Sequence, residues 1–260
     1  MTMNASPIKG LLLDLNGVFY VANRALDGAI STVEKLKAAG IPHRFATNNT
    51  TESVMGLSRS LQAMGLPIEP EAIISAPYAA VLYLRQKGNP KIYPLLSKST
   101  RRDFAEFQVS ETAADVVVIG DMADEWSYAA LNRAFKLVMK GAELVALHKG
   151  KYWQWEAGLQ LDIGAFVAGL EFSTDQQATV IGKPSASFFQ LALKDLDLPA
   201  EQVAMVGDDI DDDIGGAQAL GIQGVLVKTG KYRERLVQKS TVVPTKIVES
   251  VTEVLPLVGI

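Results

Sequence analysis

The chain of 260 residues is long enough for one large α/β domain, or for a core with a smaller second domain. Its composition, with 48% hydrophobic and 21% charged residues, is that of an ordinary globular protein. The absence of cysteine excludes disulfides, thiolate metal sites and cysteine nucleophiles. The net charge of −4 gives no general attraction to nucleic acid or membranes. With no signal-peptide pattern and no long apolar run, we expect a cytoplasmic protein without nucleic-acid or membrane partners.

The first predicted strand is the short apolar run Gly10 to Leu13, which ends in Asp14. A run too short for a helix and bounded by polar residues is typical of a strand buried on both faces of a parallel sheet. Ligands bind at the carboxyl ends of such strands, where Asp14 and Asn16 lie. Gly17 permits a sharp turn beside them.

The second predicted strand, Ile41 to Thr47, leads directly into Asn48. Asn49 and Glu52 have the spacing of a capping box, which predicts that a helix begins there. A hydroxyl and exposed N–H groups between a strand end and a helix N-terminus form an anion site. The alternative is that Thr47 and Asn48 only cap the turn.

The middle third of the chain starts a new α/β pattern after the turn at Gly88-Asn89-Pro90. A helix is expected before this turn, over 71–86. The elements predicted after it are strands at 91–96, 114–120 and 142–147, helices at 101–107 and 125–139, and a hairpin at 152–161. We expect the core sheet to resume with strands at 178–181, 202–206 and 224–227. These patterns predict a core of residues 1–78 and 179–260 with an inserted domain of residues 79–178.

An acidic run, Gly207 to Asp213, follows a predicted buried strand. Its five carboxylates belong to Asp208, Asp209, Asp211, Asp212 and Asp213. An EF-hand fits poorly, because Ile214 and Leu220 occupy the positions that need Gly and Glu. Mg²⁺ held by carboxylates, waters and a substrate phosphate fits this run better, and a solvated acidic loop is the alternative.

Lys183 lies in a Gly-Lys-Pro sequence between a predicted strand and a helix. If the strand ends meet, its charge would neutralise Asp14 and a bound phosphate; otherwise it is a solvated loop lysine. His43 and His148 are expected to be structural, since neither has a partner pattern.

The ordered set Asp14, Thr47, Lys183 and Asp208, followed by Asp213, resembles the four motifs of the haloacid dehalogenase-like hydrolases. The inserted domain resembles the α/β cap of subclass IIA, which includes nitrophenyl and pyridoxal phosphatases. Within it, the chain resembles the phospholysine phosphohistidine inorganic pyrophosphate phosphatases and their near relatives. The passages that carry this likeness are ALHKGKYW, GLQLDIGAFVAGLEF, VIGKPS, VGDDIDDDIGGAQ and LVKTGKYR.

The resemblance implies a Rossmann-like three-layer core with a parallel sheet, an inserted α/β cap and Mg²⁺-dependent phosphatase activity. It implies these roles: Asp14 as the nucleophile that forms an aspartyl-phosphate; Asp14, the Asn16 carbonyl and Asp208 as Mg²⁺ ligands; Asp209 and Asp213 behind them; Thr47 and the Asn48 N–H as phosphate ligands; and Lys183 as the stabilising charge. It implies a small phosphorylated substrate, pyrophosphate or a P–N compound, and a homodimer formed through the cap.

Asn16 departs from the family pattern, where a second Asp usually acts as general acid and base. An amide forms hydrogen bonds but does not exchange a proton near neutral pH. One hypothesis is that substrates have good leaving groups. Another is that Asn16, which directly precedes Gly17 in the sequence, deamidates to Asp. A phosphate-binding protein without turnover and a phosphotransferase are the competing functions.

Overall fold

A computed structural model describes residues 6–155 and 158–260. The chain forms two compact units. The first unit comprises the chain up to Thr47, Ser58–Ile74 and Lys183–Ile260. The second comprises Asn48–Leu57 and Ser75–Gly182. Among the described residues, no helix combines the length and the apolar character needed to cross a bilayer.

The described strands are short. They are β1 (Gly10–Leu13), β2 (Tyr20–Val21), β3 (Arg24–Ala25), β4 (His43–Thr47), β5 (Ile73–Ser75), β6 (Ile92–Leu95), β7 (Val116–Ile119), β8 (Glu143–Ala146), β9 (Tyr152–Trp155), β10 (Gly158–Leu161), β11 (Thr179–Val180), β12 (Val203–Gly207), β13 (Gln223–Val227) and β14 (Lys246–Val248).

The described α-helices are α1 (Ala29–Ala38), α2 (Val54–Ala63), α3 (Ala76–Gln86), α4 (Tyr128–Met139), α5 (Gly164–Thr174), α6 (Ala186–Leu196), α7 (Gly216–Gln218) and α8 (Glu234–Lys239). Short 3-10 helices cover Pro70–Ala72, Thr100–Phe104, Ala123–Glu125, Ala200–Gln202 and Val251–Val258. A π-helical turn, Ile210–Gly215, immediately precedes α7.

The first unit is built on a sheet of order β14-β13-β12-β1-β4-β5. Strand β1 pairs in parallel with β12 on one side and with β4 on the other. Leu11, Leu12 and Leu13 are fully buried, as predicted for a central strand. Phe19 and Phe45 pack edge to face beside it, with ring centroids 5.4 Å apart. The predicted α/β fold with a Rossmann-like parallel sheet is confirmed.

The second unit has its own sheet, of order β11-β8-β7-β6, with parallel pairing throughout. Helices α4 and α5 contact each other, and the rings of Trp126 and Phe166 stack with centroids 3.9 Å apart. Strands β9 and β10 pair antiparallel, as the predicted hairpin requires, and residues 156–157 lie outside the described residues. The expectation that 178–181 rejoins the core sheet is wrong, because β11 pairs with β8.

Two predicted helix starts are also wrong. Helix α2 begins at Val54, because the Asn49 side chain accepts N–H bonds within a local turn and the Ser53 hydroxyl caps the helix instead. The helix expected over 71–86 begins only at Ala76. Ile73–Ser75, with both isoleucines buried, is the edge strand β5, and the Ser75 side chain caps α3.

Candidate active site

The register of β1 brings two other strand ends beside Asp14. On one side, Leu13 is opposite Val206, and the Asp14 N–H donates to the Val206 carbonyl at 2.9 Å. Asp208 therefore lies just beyond the neighbouring strand end. On the other side, Leu13 is opposite Phe45, so Asp14 lies beside Ala46. Because parallel strands end at one edge, side chains distant in sequence meet here.

Lys183 connects this strand edge to the acidic run. Its ammonium lies 2.5 Å from Asp14 Oδ1 and 2.7 Å from Asp213 Oδ1, and it donates to the Ala46 carbonyl at 2.9 Å. An ammonium has three donors, so these three acceptors fix its position. The side chain is only 4% exposed. The predicted meeting of Lys183 with Asp14 is thus observed, and the solvated-loop alternative does not hold.

Opposing effects act on the pKa of Lys183. Burial alone would lower this pKa, but the charges of Asp14 and Asp213 outweigh burial and raise it. Lys183 is therefore a permanent positive charge between two carboxylates. Such a group neutralises charge and does not act as a proton donor or acceptor near neutral pH.

Asp14, Asp208 and Asp213 form a buried cluster of carboxylates, with one oxygen from each lying within 4.8 Å of the others. Burial, with the charges of Asp14 and Asp213, raises the pKa of Asp208 well above its ordinary value. Burial also raises the pKa of Asp213 to about 6 although Lys183 opposes the change. Three carboxylates within this distance are the hard oxygen ligands that Mg²⁺ takes, so the residues fit a divalent cation.

Asp209 and Asp213 also build the turn that carries them. Asp209 Oδ1 accepts the N–H groups of Asp211 and Asp212, and so starts the π-helical turn. Asp213 Oδ2 accepts the Asp209 N–H at 3.1 Å. Burial, followed by the charge of Asp209, raises the pKa of the half-buried Asp212 to about 7. The acidic run is thus a folded turn rather than a solvated loop.

The remaining predicted residues are Thr47, Asn48 and Asn16, which do not all belong to one unit. Thr47, 3% exposed, is the last residue of β4 and follows Ala46. Asn48 belongs to the second unit, where its side-chain oxygen lies against Gly182. The Asn16 side chain is exposed, and its backbone forms a bridge with Tyr20.

Sequence reasoning assigned no site role to a segment that follows β13, Thr229 to Lys231, although it lies within the passage LVKTGKYR. We name it the 229–231 segment. The Lys231 N–H donates to Asp208 Oδ2 at 2.6 Å, and the Thr229 hydroxyl donates to the Gly17 carbonyl at 2.5 Å. The Lys231 ammonium lies 3.5 Å from Asp209 Oδ2. The available signal was its place after a buried strand of the same sheet, as for Asp14 and Asp208.

Comparisons with known proteins agree with the class that the fold and the cluster define, an α/β enzyme with its site at the carboxyl edge of a parallel sheet. Residues 11–110 match the family model described as haloacid dehalogenase-like hydrolase, and residues 180–254 match the HAD-hydrolase-like model. The haloacid dehalogenase-like hydrolase domain-containing protein 2 of Bos taurus is 40% identical over 228 residues, covering 87% of this chain and 86% of the relative.

Two further proteins are similar over most of the chain. The phospholysine phosphohistidine inorganic pyrophosphate phosphatase of Danio rerio is 38% identical over 233 residues, covering 87% of this chain and 85% of the relative. The crystal structure of a 4-nitrophenylphosphatase from Thermotoga maritima superposes with a TM-score of 0.90 at 25% identity, covering 96% and 97% of the two chains. The chain belongs to the haloacid dehalogenase-like hydrolase family. The predicted family, its nitrophenyl phosphatase subclass and its enzymatic class are confirmed.

Proposed function

We propose that the protein is a Mg²⁺-dependent phosphatase that works through an aspartyl-phosphate on Asp14. The observation that carries the proposal is the Lys183 ammonium held between Asp14 and Asp213, with Asp208 in the same buried cluster. The phosphatase names of the relatives support the reaction class. Phosphoryl transfer depends mainly on positioning and charge neutralisation, which this arrangement supplies.

The proposed reaction has two displacements at phosphorus. An Asp14 carboxylate oxygen forms a bond to phosphorus while the bond to the leaving oxygen or nitrogen breaks, and the leaving atom keeps the electron pair. Water then attacks phosphorus and the bond from phosphorus to the Asp14 oxygen breaks, with the electron pair returning to the Asp14 carboxylate. The protons of the water leave with the released phosphate. Lys183 keeps the nucleophile oriented through its Oδ1 and offsets negative charge on the phosphoryl group.

Magnesium is the proposed metal. Asp14 and Asp208 would hold it through carboxylates and Asn16 through its main-chain carbonyl, with Asp209 and Asp213 behind them. Asp213 shares the 4.8 Å cluster, so its carboxylate is also within reach of a cation there. When bound, the metal would neutralise phosphate charge.

Phosphate binding is assigned to Thr47 and Asn48. Thr47 is the last residue of β4, and the Ala46 carbonyl just before it accepts a hydrogen bond from the Lys183 ammonium. The Thr47 hydroxyl is therefore on the same strand end that holds this positive charge. The Asn48 main-chain N–H comes next in the chain. The Thr47 hydroxyl and the Asn48 N–H together would supply two donors for phosphoryl oxygens.

The substrate class follows from Asn16. An amide at this position leaves the nucleophilic step without the usual acid, so we propose substrates whose leaving groups need little protonation. These are aryl phosphates, pyrophosphate and P–N compounds, within the general class of small phosphorylated molecules. The pyrophosphate and phosphohistidine in the name of the Danio rerio relative support this class.

The second unit is the candidate for the cap that selects the substrate. The predicted ranges, core 1–78 and 179–260 and cap 79–178, remain a prediction. A homodimer through the cap and a cytoplasmic location are proposed on resemblance and composition only.

Phosphate release from p-nitrophenyl phosphate and pyrophosphate, with Mg²⁺ and with EDTA, tests the proposal. We expect Mg²⁺-dependent release in the native protein and none in Asp14→Asn. The matched control is Asp27→Asn, the same change at an exposed aspartate, which should keep native activity. Equal activity in Asp14→Asn and native protein would contradict the assignment of the nucleophile.

A phosphate-binding protein without turnover is the second candidate, and the exposed amide of Asn16 favours it. Calorimetric binding of phosphate without hydrolysis of any tested ester would support it. An inactive native protein that becomes active as Asn16→Asp would make this candidate the leading one.

A further inference from the structure

Two glycines from different strand ends enclose the carboxylate of Asp208. Gly17 follows β1 with φ +91°, and Gly230 follows β13 with φ +56°. A Cβ atom on either glycine would collide with Asp208 Oδ2. A Cβ on Gly17 would also lie 3.1 Å from the Gly230 Cα. Both the backbone conformation and the close approach therefore require glycine at these positions.

Hydrogen bonds tie the same elements together. The Lys231 N–H donates to Asp208 Oδ2 at 2.6 Å, so the oxygen that the glycines enclose is also bonded. The Thr229 hydroxyl joins the segment to the Gly17 carbonyl at 2.5 Å. With Oδ2 held in this way, rotation of the Asp208 carboxylate is restricted.

We propose that the 229–231 segment is a positioning element that fixes Asp208 for binding of a divalent cation in the Asp14–Asp208–Asp213 cluster. The inference rests on the metal-binding part of the proposed function and extends it to residues outside the cluster. Groups that orient a metal ligand typically contribute 10–100-fold to metal affinity. The main-chain N–H of Lys231 and the bare Cα of Gly230 do this here, while Thr229 holds the segment against Gly17.

The Lys231 side chain affects Mg²⁺ binding separately from the Lys231 main-chain N–H. Its ammonium pairs with Asp209 at 3.5 Å and is partly exposed. Lys231→Met keeps the main-chain N–H but removes a positive charge near the acids. This variant should therefore bind Mg²⁺ as well as the native protein or more tightly.

Calorimetric titration of Mg²⁺ into the substrate-free protein tests the proposal. Gly230→Ala places a methyl group against Asp208, and we expect it to bind Mg²⁺ about 10–100-fold more weakly. Gly40→Ala is the matched control, since Gly40 also has positive φ, +64°, and no atom lies within 4 Å of an added Cβ. It measures the backbone strain alone and should bind Mg²⁺ like the native protein. Thr229→Val, which keeps the side-chain shape, should weaken binding to a smaller extent.

Circular dichroism and thermal unfolding establish that each variant is folded, and Thr229→Val carries the test if Gly230→Ala does not fold. Equal Mg²⁺ affinity in the folded variants at 229 or 230 and in Gly40→Ala would overturn the proposal, as would a native protein that binds no Mg²⁺. Native Mg²⁺ binding without phosphate release would contradict the proposed activity alone, and weakened binding in Gly230→Ala would still support the positioning role.

Discussion

Replacing Asp208 by asparagine should stabilise the metal-free protein. Asp208 is 4% exposed and shares a cluster with Asp14 and Asp213, whose charges contribute to the rise of its pKa. Asparagine removes the charge but keeps an oxygen that can accept the Lys231 N–H. The variant therefore loses the repulsion without leaving that donor unpaired.

The expected gain follows from the distances. Two unit charges 4.8 Å apart repel by about 3.5 kcal/mol at an effective dielectric constant of about 20. Asp208 faces two such charges, but Lys183 offsets one of them, and the partly exposed Lys231 offsets part of the other. We therefore expect the free energy of unfolding to rise by about 1–3 kcal/mol.

Urea unfolding in EDTA at about pH 8 measures this difference, and Asp27→Asn, at an exposed position, is the control. With Mg²⁺ at about 100 times its dissociation constant the native protein should gain about 2.7 kcal/mol, and Asp208→Asn should gain much less. The difference in free energy of unfolding between Asp208→Asn and the native protein should then become smaller or change sign. A variant less stable than the native protein in EDTA would refute the reasoning.

The difference in free energy of unfolding between Asp208→Asn and the native protein should also depend on pH, in a direction that the raised pKa values determine. A raised carboxyl pKa means that the native state binds more protons than the unfolded state, so the native protein loses stability as pH rises through the folded pKa. Asp213, with pKa about 6, and Asp212, with pKa about 7, become protonated as pH falls. The advantage of Asp208→Asn should therefore shrink between about pH 8 and pH 5.

Three further changes have expected outcomes. Asn16→Asp supplies the missing acid and should raise kcat on alkyl phosphates by up to about 10²–10⁴-fold, with little effect on p-nitrophenyl phosphate; equal effects on both would contradict the leaving-group argument. Thr100→Val removes a fully buried hydroxyl that donates to the Thr50 carbonyl at 2.7 Å, and should lower the free energy of unfolding by about 1–3 kcal/mol in urea titrations. Burial lowers the pKa of His43, so the native protein should lose stability as pH falls below about 6.5, and His43→Gln should flatten this loss in unfolding curves measured across that range.

The strands that organise the first unit could be predicted because their sequences are apolar runs bounded by turn residues. The start of α2 could not, because its first N–H groups bond to side chains far along the chain. Ser53 N–H donates to Ser99 Oγ at 3.0 Å, and Val54 N–H donates to Asp103 Oδ2 at 3.1 Å. A capping pattern identified from neighbouring residues cannot include such partners, so the predicted start of α2 lay at Asn49 rather than at Val54.

The candidate site was predictable to the extent that it consists of side chains at strand ends. Asp14 and Asp208 were found because each follows a buried run, and parallel strands end at one edge. Lys183 was found from its Gly-Lys-Pro sequence, but the strand before it, β11, is half-buried and pairs with β8 rather than with the sheet that carries Asp14. The 229–231 segment was given no site role because its contribution to Asp208 is a main-chain N–H and a close approach by the Gly230 backbone, and the sequence does not show which partner these groups meet. The pairing of Asp213 with Lys183 likewise depends on the π-helical turn, which the sequence pattern did not predict.

The electrostatics of the cluster argue against a purely structural role. Burying three carboxylates within 4.8 Å with one fully buried lysine leaves net negative charge in a region of low dielectric, which opposes folding. An amide side chain at Asp208 would fill the same space between Gly17 and Gly230 at lower cost, as the Asp208→Asn prediction states. The charge kept at this position, and enclosed by two glycines and an N–H, therefore supports the proposal that the cluster holds a cation and acts on a negatively charged substrate.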